Sequence, residues 1–527
     1  MFKGHPSGLK VLFFTEMWER FGYYLMLGIL VLYMTDAVRG GLGYSYGVAG
    51  EVYGTFIAMV YLTPFFGGIL ADRWIGYRKA IVIGGVLMGI GYLTLAIPGQ
   101  TAFFVGLGVI VVGNGFFKPN MSALVGRLYP DGSPLKDSGY NIFYMGVNVG
   151  AFACNFIAAI LRNRFGWGYA FAAAGLGMLL GVVIFLLNQK HLTAASDRGD
   201  GSDLETGVLT RLLYQVVVPS AIAGTIGYLF LGPLFGGATT AAFVLAALPV
   251  VIYYAVLWLR SPRRERGPIG ALLAIYTVVV VFWMIFHQNG STLTLWAEEH
   301  TRREAGVLSP VLETVYMHQD ATIGQTIDDP EAQGSYWRTV PEAQRPAPGE
   351  KVTLISTELF QSVNPFFIIV FTPLVVGFFG WLRQRGSEPS TPAKIAWGMV
   401  LTAASVVVML GAVHVSGGGE LKVSPWWLVS SYAVITVGEL CLSPMGLALV
   451  SKLAPARVTA LMMGGWYLAT AVGNKLAGVL ASFWEKLPLM AIFGINLVAA
   501  LLAALAIALM TPRIRRIMAE HEADAAR

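Results

Sequence analysis

The chain has 527 residues, of which 56% are hydrophobic and only 13% are charged, against about 25% charged in soluble domains. This composition excludes a soluble globular protein and indicates a polytopic membrane protein. The net charge of +6 comes from short basic clusters between apolar runs, which is the pattern that sets membrane topology, so we expect no nucleic-acid partner. Cys154 and Cys441 lie in apolar runs, so the sequence predicts neither a disulfide framework nor a metal site.

The first apolar run, residues 9–35, carries three charged residues inside a predicted membrane span: Glu16, Glu19 and Arg20. At about 1.5 Å per residue, this run is long enough to cross a hydrocarbon core of about 30 Å. Each charge costs roughly 2.5–3.5 kcal/mol at the centre of such a helix, so the three must face protein or water and neutralise one another. We interpret them as a proton-titratable carboxylate pair tethered to a cation. A structural ion pair that locks two helices is the alternative.

Further apolar runs predict thirteen more membrane helices. They lie at about 46–71, 79–97, 101–129, 138–162, 167–188, 211–232, 238–259, 268–296, 357–382, 393–414, 425–451, 458–483 and 488–511. The predicted fold class is therefore an all-α polytopic membrane protein with 14 transmembrane helices, arranged as six plus two plus six. The domain boundaries follow: a six-helix bundle at 1–190, a loop with two extra helices at 191–266, and a second bundle at 267–527.

The basic residues predict the orientation of these helices. With a cytoplasmic N-terminus, 23 Lys and Arg residues fall in inside segments and 5 in the short outside loops. An excess of Lys and Arg marks the cytoplasmic side, so we expect both chain ends to be cytoplasmic. A long polar segment, 297–354, then lies outside; its few aliphatic residues and several Pro and Gly predict a partly ordered loop.

Three other segments place polar groups where chemistry is expected. The turn after the second run joins Gly67 and Gly68 to Asp72 and Arg73, and it resembles the gating loop of the major facilitator superfamily. The fourth run buries Lys118 beside a proline, so we expect a counter-charge from Glu16 or Glu19. The fifth run places Asn148 among small residues, where its amide can either hydrogen-bond to a neighbouring helix or contact a ligand.

Five motifs in order resemble the proton-dependent oligopeptide transporter family, bacterial type. They are Glu16-x-x-Glu19-Arg20-Phe21-x-Tyr23-Tyr24, Phe-Phe-Lys118-Pro-Asn, Phe143-Tyr-x-x-x-Asn148-x-Gly150, Phe360-Gln361-Ser-x-Asn364-Pro365 and Gly438-Glu439-x-x-x-Ser443-Pro444. The resemblance covers nearly the whole chain. It implies the major facilitator fold in the lipid bilayer of the bacterial inner membrane, a carrier rather than an enzyme, and proton-coupled uptake of di- and tripeptides. It also implies no cofactor besides the proton and a functional monomer.

The resemblance also implies roles for particular residues. Glu439 would meet the ammonium group of the peptide, Asn148 and Asn364 its backbone, and Lys118 its carboxylate. The side chains of the peptide would meet Tyr23, Tyr24, Tyr61 and Trp466, with Ser443 completing the site. Proton coupling would use Glu16, Glu19, Arg20 and Lys118. For Glu439 alone, a helix cap or gating ion pair is the alternative, and for the aromatic residues it is ordinary packing.

Two positions depart from the family pattern. Family members commonly carry a second arginine in the first span, where this chain has Leu27, and an acidic residue in the seventh span, where it has His287. These positions are often an ion pair, so losing both avoids an uncompensated buried charge. We expect His287 to take part in proton coupling, the alternative being a neutral core residue.

Other function classes fit less well. A carrier of a small anion or an amino-acid-like solute is favoured by Lys118 and Arg20 but disfavoured by Glu439. A membrane enzyme or sensor would need a nucleophile, metal spacing or phosphate loop, and His318 with Trp337 in the outside segment does not make one. A channel would need a repeated filter segment, which the chain lacks.

Overall fold

The computed structural model describes residues 2–130, 135–192, 213–235, 237–322, 336–337, 340–347, 349–455 and 458–525. Its first bundle consists of α1 (Gly8–Thr35), α2 (Tyr46–Leu70), α3 (Tyr77–Leu95), α4 (Gln100–Arg127), α5 (Lys136–Phe165) and α6 (Trp167–Leu187). The extra pair consists of α7 (Val218–Ile226), continued by π-helical and 3₁₀ turns to Leu234, and α8 (Ala238–Arg260). The rest comprises α9 (Arg263–Phe286), α10 (Thr292–Glu299), α11 (Ser309–Thr314), α12 (Val363–Gln384), α13 (Thr391–Val415), α14 (Trp426–Leu453), α15 (Thr459–Ala481) and α16 (Leu489–Ala525).

These helices confirm the predicted fold class. Eleven helical segments among the described residues are long and apolar enough to cross a membrane, with α9 and α10 together forming one of them. Helices α1, α2 and α15 carry buried or half-buried charged groups, and they bring the total to the fourteen predicted. Local sequence sets the helix starts: Gly99 and Gly166 adopt φ values of 116° and 99° just before α4 and α6, a conformation that glycine tolerates best.

The structure departs from the predicted spans in two places. The predicted span at 268–296, which is the seventh when the two extra helices are left out, is not continuous. Helix α9 ends at Phe286, and a 3₁₀ turn, His287–Gly290, separates it from α10. Asn and Gly at 289–290 are weak helix formers, which accounts for the break. The last helix runs on to Ala525, beyond the predicted end at residue 511, since its polar continuation still favours a helix.

The outside segment, predicted as a partly ordered loop, contains secondary structure in its described part. It contains α11 and an antiparallel pair of strands, β1 (His318–Thr322) and β2 (Lys351–Ile355), in which Asp320 faces Thr353. A small core of its own includes Tyr336, Trp337 and Leu354. The side of the membrane that carries this segment is called the outer side below, and the side that carries both chain ends is called the terminal side.

The two bundles meet closely at their outer ends, where α2 crosses α15. A methyl group at Gly54 would lie 2.5 Å from the Cα of Gly478, and one at Gly50 would lie 2.8 Å from the Cβ of Ala481. Small residues allow this approach of two backbones. The bundles are also joined there by Tyr53, whose hydroxyl donates to the His287 carbonyl oxygen at 3.4 Å. The outer mouth between the bundles is therefore closed in this structure.

This crossing predicts a strong effect of a single methyl group. Gly54→Ala should lower the midpoint of thermal unfolding in detergent, because overpacking a tight contact costs about 1–3 kcal/mol. Gly108→Ala is the matched control, since a methyl group on Gly108 of α4 meets no atom within 4 Å. Equal midpoints for the two variants would show that the α2–α15 contact is loose.

Candidate functional site

The charged cluster of α1 is buried in the first bundle. The exposed fraction is 6% for Glu16, 0% for Glu19 and 4% for Arg20. The Arg20 guanidinium grips Glu19 in a bidentate pair, with Nη2 donating to Oε1 at 2.5 Å and Nε to Oε2. Its Nε lies 3.5 Å from Oε1 of Glu16, one turn earlier. The tighter partner of Arg20 is therefore Glu19. Glu16 is held loosely, and its Oε2 makes no hydrogen bond to any residue that the structure describes.

Two aromatic rings extend this cluster along α1. The guanidinium carbon of Arg20 lies 4.9 Å from the ring centre of Tyr23 and 5.9 Å from that of Tyr24. These distances are within the range of a cation–π interaction. Tyr23 is 2% exposed, whereas Tyr24 is only partly buried. Of the two, Tyr24 is the ring that can meet a ligand, and Tyr23 packs in the bundle.

Lys118 on α4 is not the ion-pair partner that the sequence suggested. Its Nζ lies 3.9 Å above the ring centre of Tyr61 on α2, and among the described residues it forms no ion pair with Glu16 or Glu19. The two carboxylates and Arg20 are nevertheless close enough to interact with it electrostatically. Lys118 is thus a half-buried cation held by an aromatic face, with its donors left for another acceptor.

Glu439 on α14 is the acidic group of the second bundle. It is 7% exposed, and its Oε2 accepts a hydrogen bond from Nδ2 of Asn364 on α12 at 3.3 Å. The same amide donates to the Thr436 hydroxyl at 2.8 Å. Glu439 has no cationic partner among the described residues. Tyr24 lies beside Arg20 and also interacts electrostatically with Glu439.

The other predicted ligand contacts are placed less directly. Asn148 on α5 donates through Nδ2 to the Tyr144 carbonyl oxygen of its own helix at 2.9 Å. Trp466 on α15 is 3% exposed and packs edge-on against Tyr276, at 6.4 Å between ring centres. Ser443 lies one helical turn after Glu439 and is partly buried. The predicted gating pair, Asp72 and Arg73, lies in a π-helical turn whose side chains at these positions are outside the described part of the structure.

His287 joins the two bundles at the start of the 3₁₀ turn. Its ring centre lies 4.9 Å from that of Trp283 and 5.7 Å from that of Tyr61. The side chain is 7% exposed, and its Nδ1 has no hydrogen-bond partner among the described residues. Through Tyr61, the imidazole ring is one contact away from Lys118.

One charged pair across the bundles was missed at the sequence level. Nη2 of Arg162, on the last turn of α5, lies 3.1 Å from Oε2 of Glu358 in the 3₁₀ turn before α12, and both side chains are buried. Arg162 had been read only as an outside topology charge. The sequence shows Arg162 at the end of one span and Glu358 at the start of another. Nothing in the sequence indicates that these two residues form a pair.

The comparisons with known proteins agree with this architecture. The family model described as "POT family" matches residues 78–316 and 349–496. A peptide transporter of Yersinia enterocolitica, YePEPT, is 30% identical, with 98% of this chain and 96% of the relative covered. An uncharacterised transporter of Bacillus subtilis, YclF, is 32% identical over the same shares of the two chains.

Solved structures agree as well. The crystal structure of the peptide transporter POT in complex with sulfate is 33% identical, with a TM-score of 0.79, and 98% of this chain and 97% of that chain are covered. A POT family transporter in complex with 5-aminolevulinic acid is 29% identical, with a TM-score of 0.76 and 98% of each chain covered. Together with the fourteen spans and the buried charges, these matches show that this chain is an integral membrane carrier, not an enzyme, and that it belongs to the POT family.

Proposed function

We propose that this protein is a proton-coupled symporter that imports di- and tripeptides by alternating access. The observation that carries the proposal is the separation of charge across the two bundles. Glu439, a buried carboxylate with no cationic partner among the described residues, lies in the second bundle. The cations Lys118 and Arg20 lie in the first, with Tyr24 beside Arg20. A peptide is a zwitterion, so its two ends need opposite charges in this arrangement. Similarity to transporters of di- and tripeptides supports the same substrate class.

In the proposed binding mode, the ammonium group of the peptide takes the place of the missing cation at Glu439. Asn364 orients this carboxylate through its amide and can reach the peptide backbone. The peptide carboxylate meets Lys118, whose ammonium is not tied into an ion pair. Side chains of varying size then face Tyr24 and Tyr61, where aromatic surfaces tolerate different partners.

Proton coupling rests on the two glutamates of α1. Oε2 of Glu16 is buried and has no hydrogen-bond partner in the described part of the chain, so it is the carboxylate oxygen left open to a proton. Proton uptake there removes one of the two negative charges that hold Arg20. The positive charge of Arg20 can then attract the peptide carboxylate more strongly. Once Glu16 loses the proton, it competes again for Arg20. The coupled change biases the carrier between its two faces.

The outer closure has its own charged contact. With Leu27 and His287 in place of the common ion pair, Arg162 and Glu358 provide a buried pair between the first bundle and α12. Gln361 adds a hydrogen bond from Nε2 to the Gly28 carbonyl oxygen at 3.1 Å. We assign to these contacts the task of holding the outer mouth shut. The membrane location, cytoplasmic chain ends and monomeric state that the resemblance implies belong to the same proposal.

His287 is proposed as a second titrating group. An imidazole changes charge near neutral pH and needs no permanent cationic partner, which fits Leu27 at the facing position of the family pair. His287→Gln should therefore flatten the pH profile of uptake. His287→Asp should fail alone but work together with Leu27→Arg, which restores an ion pair. An unchanged profile and rate for His287→Gln would reduce His287 to a packing residue.

An amino-acid-like solute is the second candidate substrate. It is favoured by a specific observation, because a similar transporter has been solved with 5-aminolevulinic acid, a molecule with an amine and a carboxylate at its ends. The charges of Glu439 and Lys118 would serve either ligand.

Substrate competition separates the two candidates. Purified protein in liposomes preloaded with unlabelled dialanine should take up labelled dialanine by exchange. Dipeptides and tripeptides should compete, while free alanine, nitrate and tetra-alanine should not. Competition by 5-aminolevulinic acid without competition by tripeptides would replace the peptide assignment with the second candidate.

A further inference from the structure

A basic cleft opens on the outer side, away from the central site. It lies between the outer end of α5 and the β1–β2 pair, and its volume is about 500 Å³. Its charged and histidine lining residues are Arg39, Arg162, Arg164, His318, Asp320 and Lys351. This volume falls within the range of about 300–1,000 Å³ that is usual for pockets that hold small molecules. We refer to it below as the outer basic cleft.

The cations of the outer basic cleft are not all held in ion pairs. Four of them line it, at 39, 162, 164 and 351, while Asp320 lies in the lining and Asp36, Glu298 and Glu358 lie close by. Asp320 is already engaged, with Oδ2 at 2.8 Å from Nζ of Lys351 and Oδ1 at 3.5 Å from Nε2 of His318. Glu358 is taken up by Arg162. Arg39 and Arg164 form no direct ion pair with the described residues, so the donors of these two guanidinium groups are left for a ligand.

Aromatic contacts hold one of these arginines in place. The guanidinium carbon of Arg164 lies 4.6 Å from the ring centre of Tyr316, which fixes the side chain across the cleft. Tyr316 adopts φ 56°, a left-handed conformation that is uncommon for a bulky residue, and its carbonyl oxygen accepts from Nδ2 of Asn163 at 3.2 Å. The indole Nε1 of Trp167 donates to Asp36 Oδ2 at 2.7 Å, so the floor of the cleft is anchored. The site is therefore shaped before any ligand arrives.

We propose that the outer basic cleft binds a small organic anion through its carboxylate or phosphate group. Guanidinium groups match the planar, multi-oxygen geometry of both anions, and a concave site of one charge focuses the potential on them. One wall belongs to the first bundle, through Arg39 and Arg164. The other belongs to the segment attached to the second bundle, through Lys351 and Tyr316. A bound anion would bridge these walls on the closed outer side. This site is additional to the proposed transport site and does not depend on it.

The probes are N-acetyl-dialanine and inorganic phosphate, added separately to the full chain in detergent. N-acetyl-dialanine has a carboxylate but no ammonium group for Glu439, and N-acetyl-dialanine amide is the neutral control. Calorimetry should detect saturable binding of at least one anion, weakened by added salt because exposed charges are screened. The neutral amide should not bind.

Charge-removing variants decide the location. Arg39→Ala with Arg164→Ala should weaken anion binding at least tenfold. Both side chains are exposed, so their loss leaves the buried core intact and removes the Arg164–Tyr316 ring contact. The matched control is Arg513→Ala with Arg515→Ala, which removes two exposed arginines from the terminal side. If the Arg39/Arg164 double variant loses binding of N-acetyl-dialanine, the ligand is a carboxylate. If it loses binding of phosphate alone, the ligand is a phosphate. Binding of neither anion, or equal binding by both double variants, would overturn the proposal, and the exchange assay with dialanine would be unaffected by that outcome.

Discussion

Replacing Glu439 with alanine should weaken recognition of peptides with a free amino group by about a hundredfold or more. Leaving one member of a buried charge pair without its partner costs about 3–5 kcal/mol, and each 1.4 kcal/mol corresponds to a factor of ten. In the proposed complex, the member left without its partner is the peptide ammonium. Inhibition of labelled dialanine exchange should therefore show a large loss for dialanine and a small one for N-acetyl-dialanine.

The matched control for this experiment is Thr436→Val, which removes the other acceptor of the Asn364 amide without changing any charge. It should leave the preference for a free amine intact. An equal loss for both ligands in the Glu439→Ala variant would instead assign Glu439 to gating, the alternative that its sequence context left open.

Replacing Glu16 with glutamine should abolish accumulation against a gradient while leaving exchange of dialanine. Glutamine is neutral and cannot release a proton, so Arg20 permanently lacks the negative charge of one of its two carboxylate partners. Binding and reorientation of the loaded carrier do not require that release, whereas net cycling does.

Glu51→Gln is the control for the glutamate change. Glu51 on α2 accepts hydrogen bonds from Thr239 and Thr240 at the start of α8, and the proposed proton route does not include it. This variant should accumulate peptide like the unaltered protein. Full accumulation by Glu16→Gln would remove Glu16 from the proton route.

The fold was predictable because the length of apolar runs and the placement of basic residues can be read along the sequence, without knowing which residues contact each other. All fourteen runs became helical spans, and the family that the five motifs resemble is the family to which the chain belongs. The 3₁₀ break at His287 was not predicted, because hydropathy averages over one Asn-Gly step. The strand pair of the outside segment was not predicted, because its strands and its small core join residues far apart in sequence, such as Tyr336 and Leu354.

The site was predictable as a set of residues but not as a set of pairs. The i, i+4 rule gave the Glu16–Arg20 contact, yet Arg20 pairs more tightly with its neighbour Glu19. Lys118 was assigned to a carboxylate, and the structure places it on the ring of Tyr61. Which helices face each other decides such contacts, and a single sequence contains no record of that. The roles assigned to these residues remain predictions.

The central claim is that a proton gradient drives peptide accumulation. It is tested most directly with the purified protein in liposomes that are given an acidic exterior and labelled dialanine outside. We predict that internal dialanine rises well above the external concentration, and that a protonophore collapses this excess. Equilibration of dialanine to the external concentration, with no effect of the imposed gradient or the protonophore, would contradict proton-coupled transport.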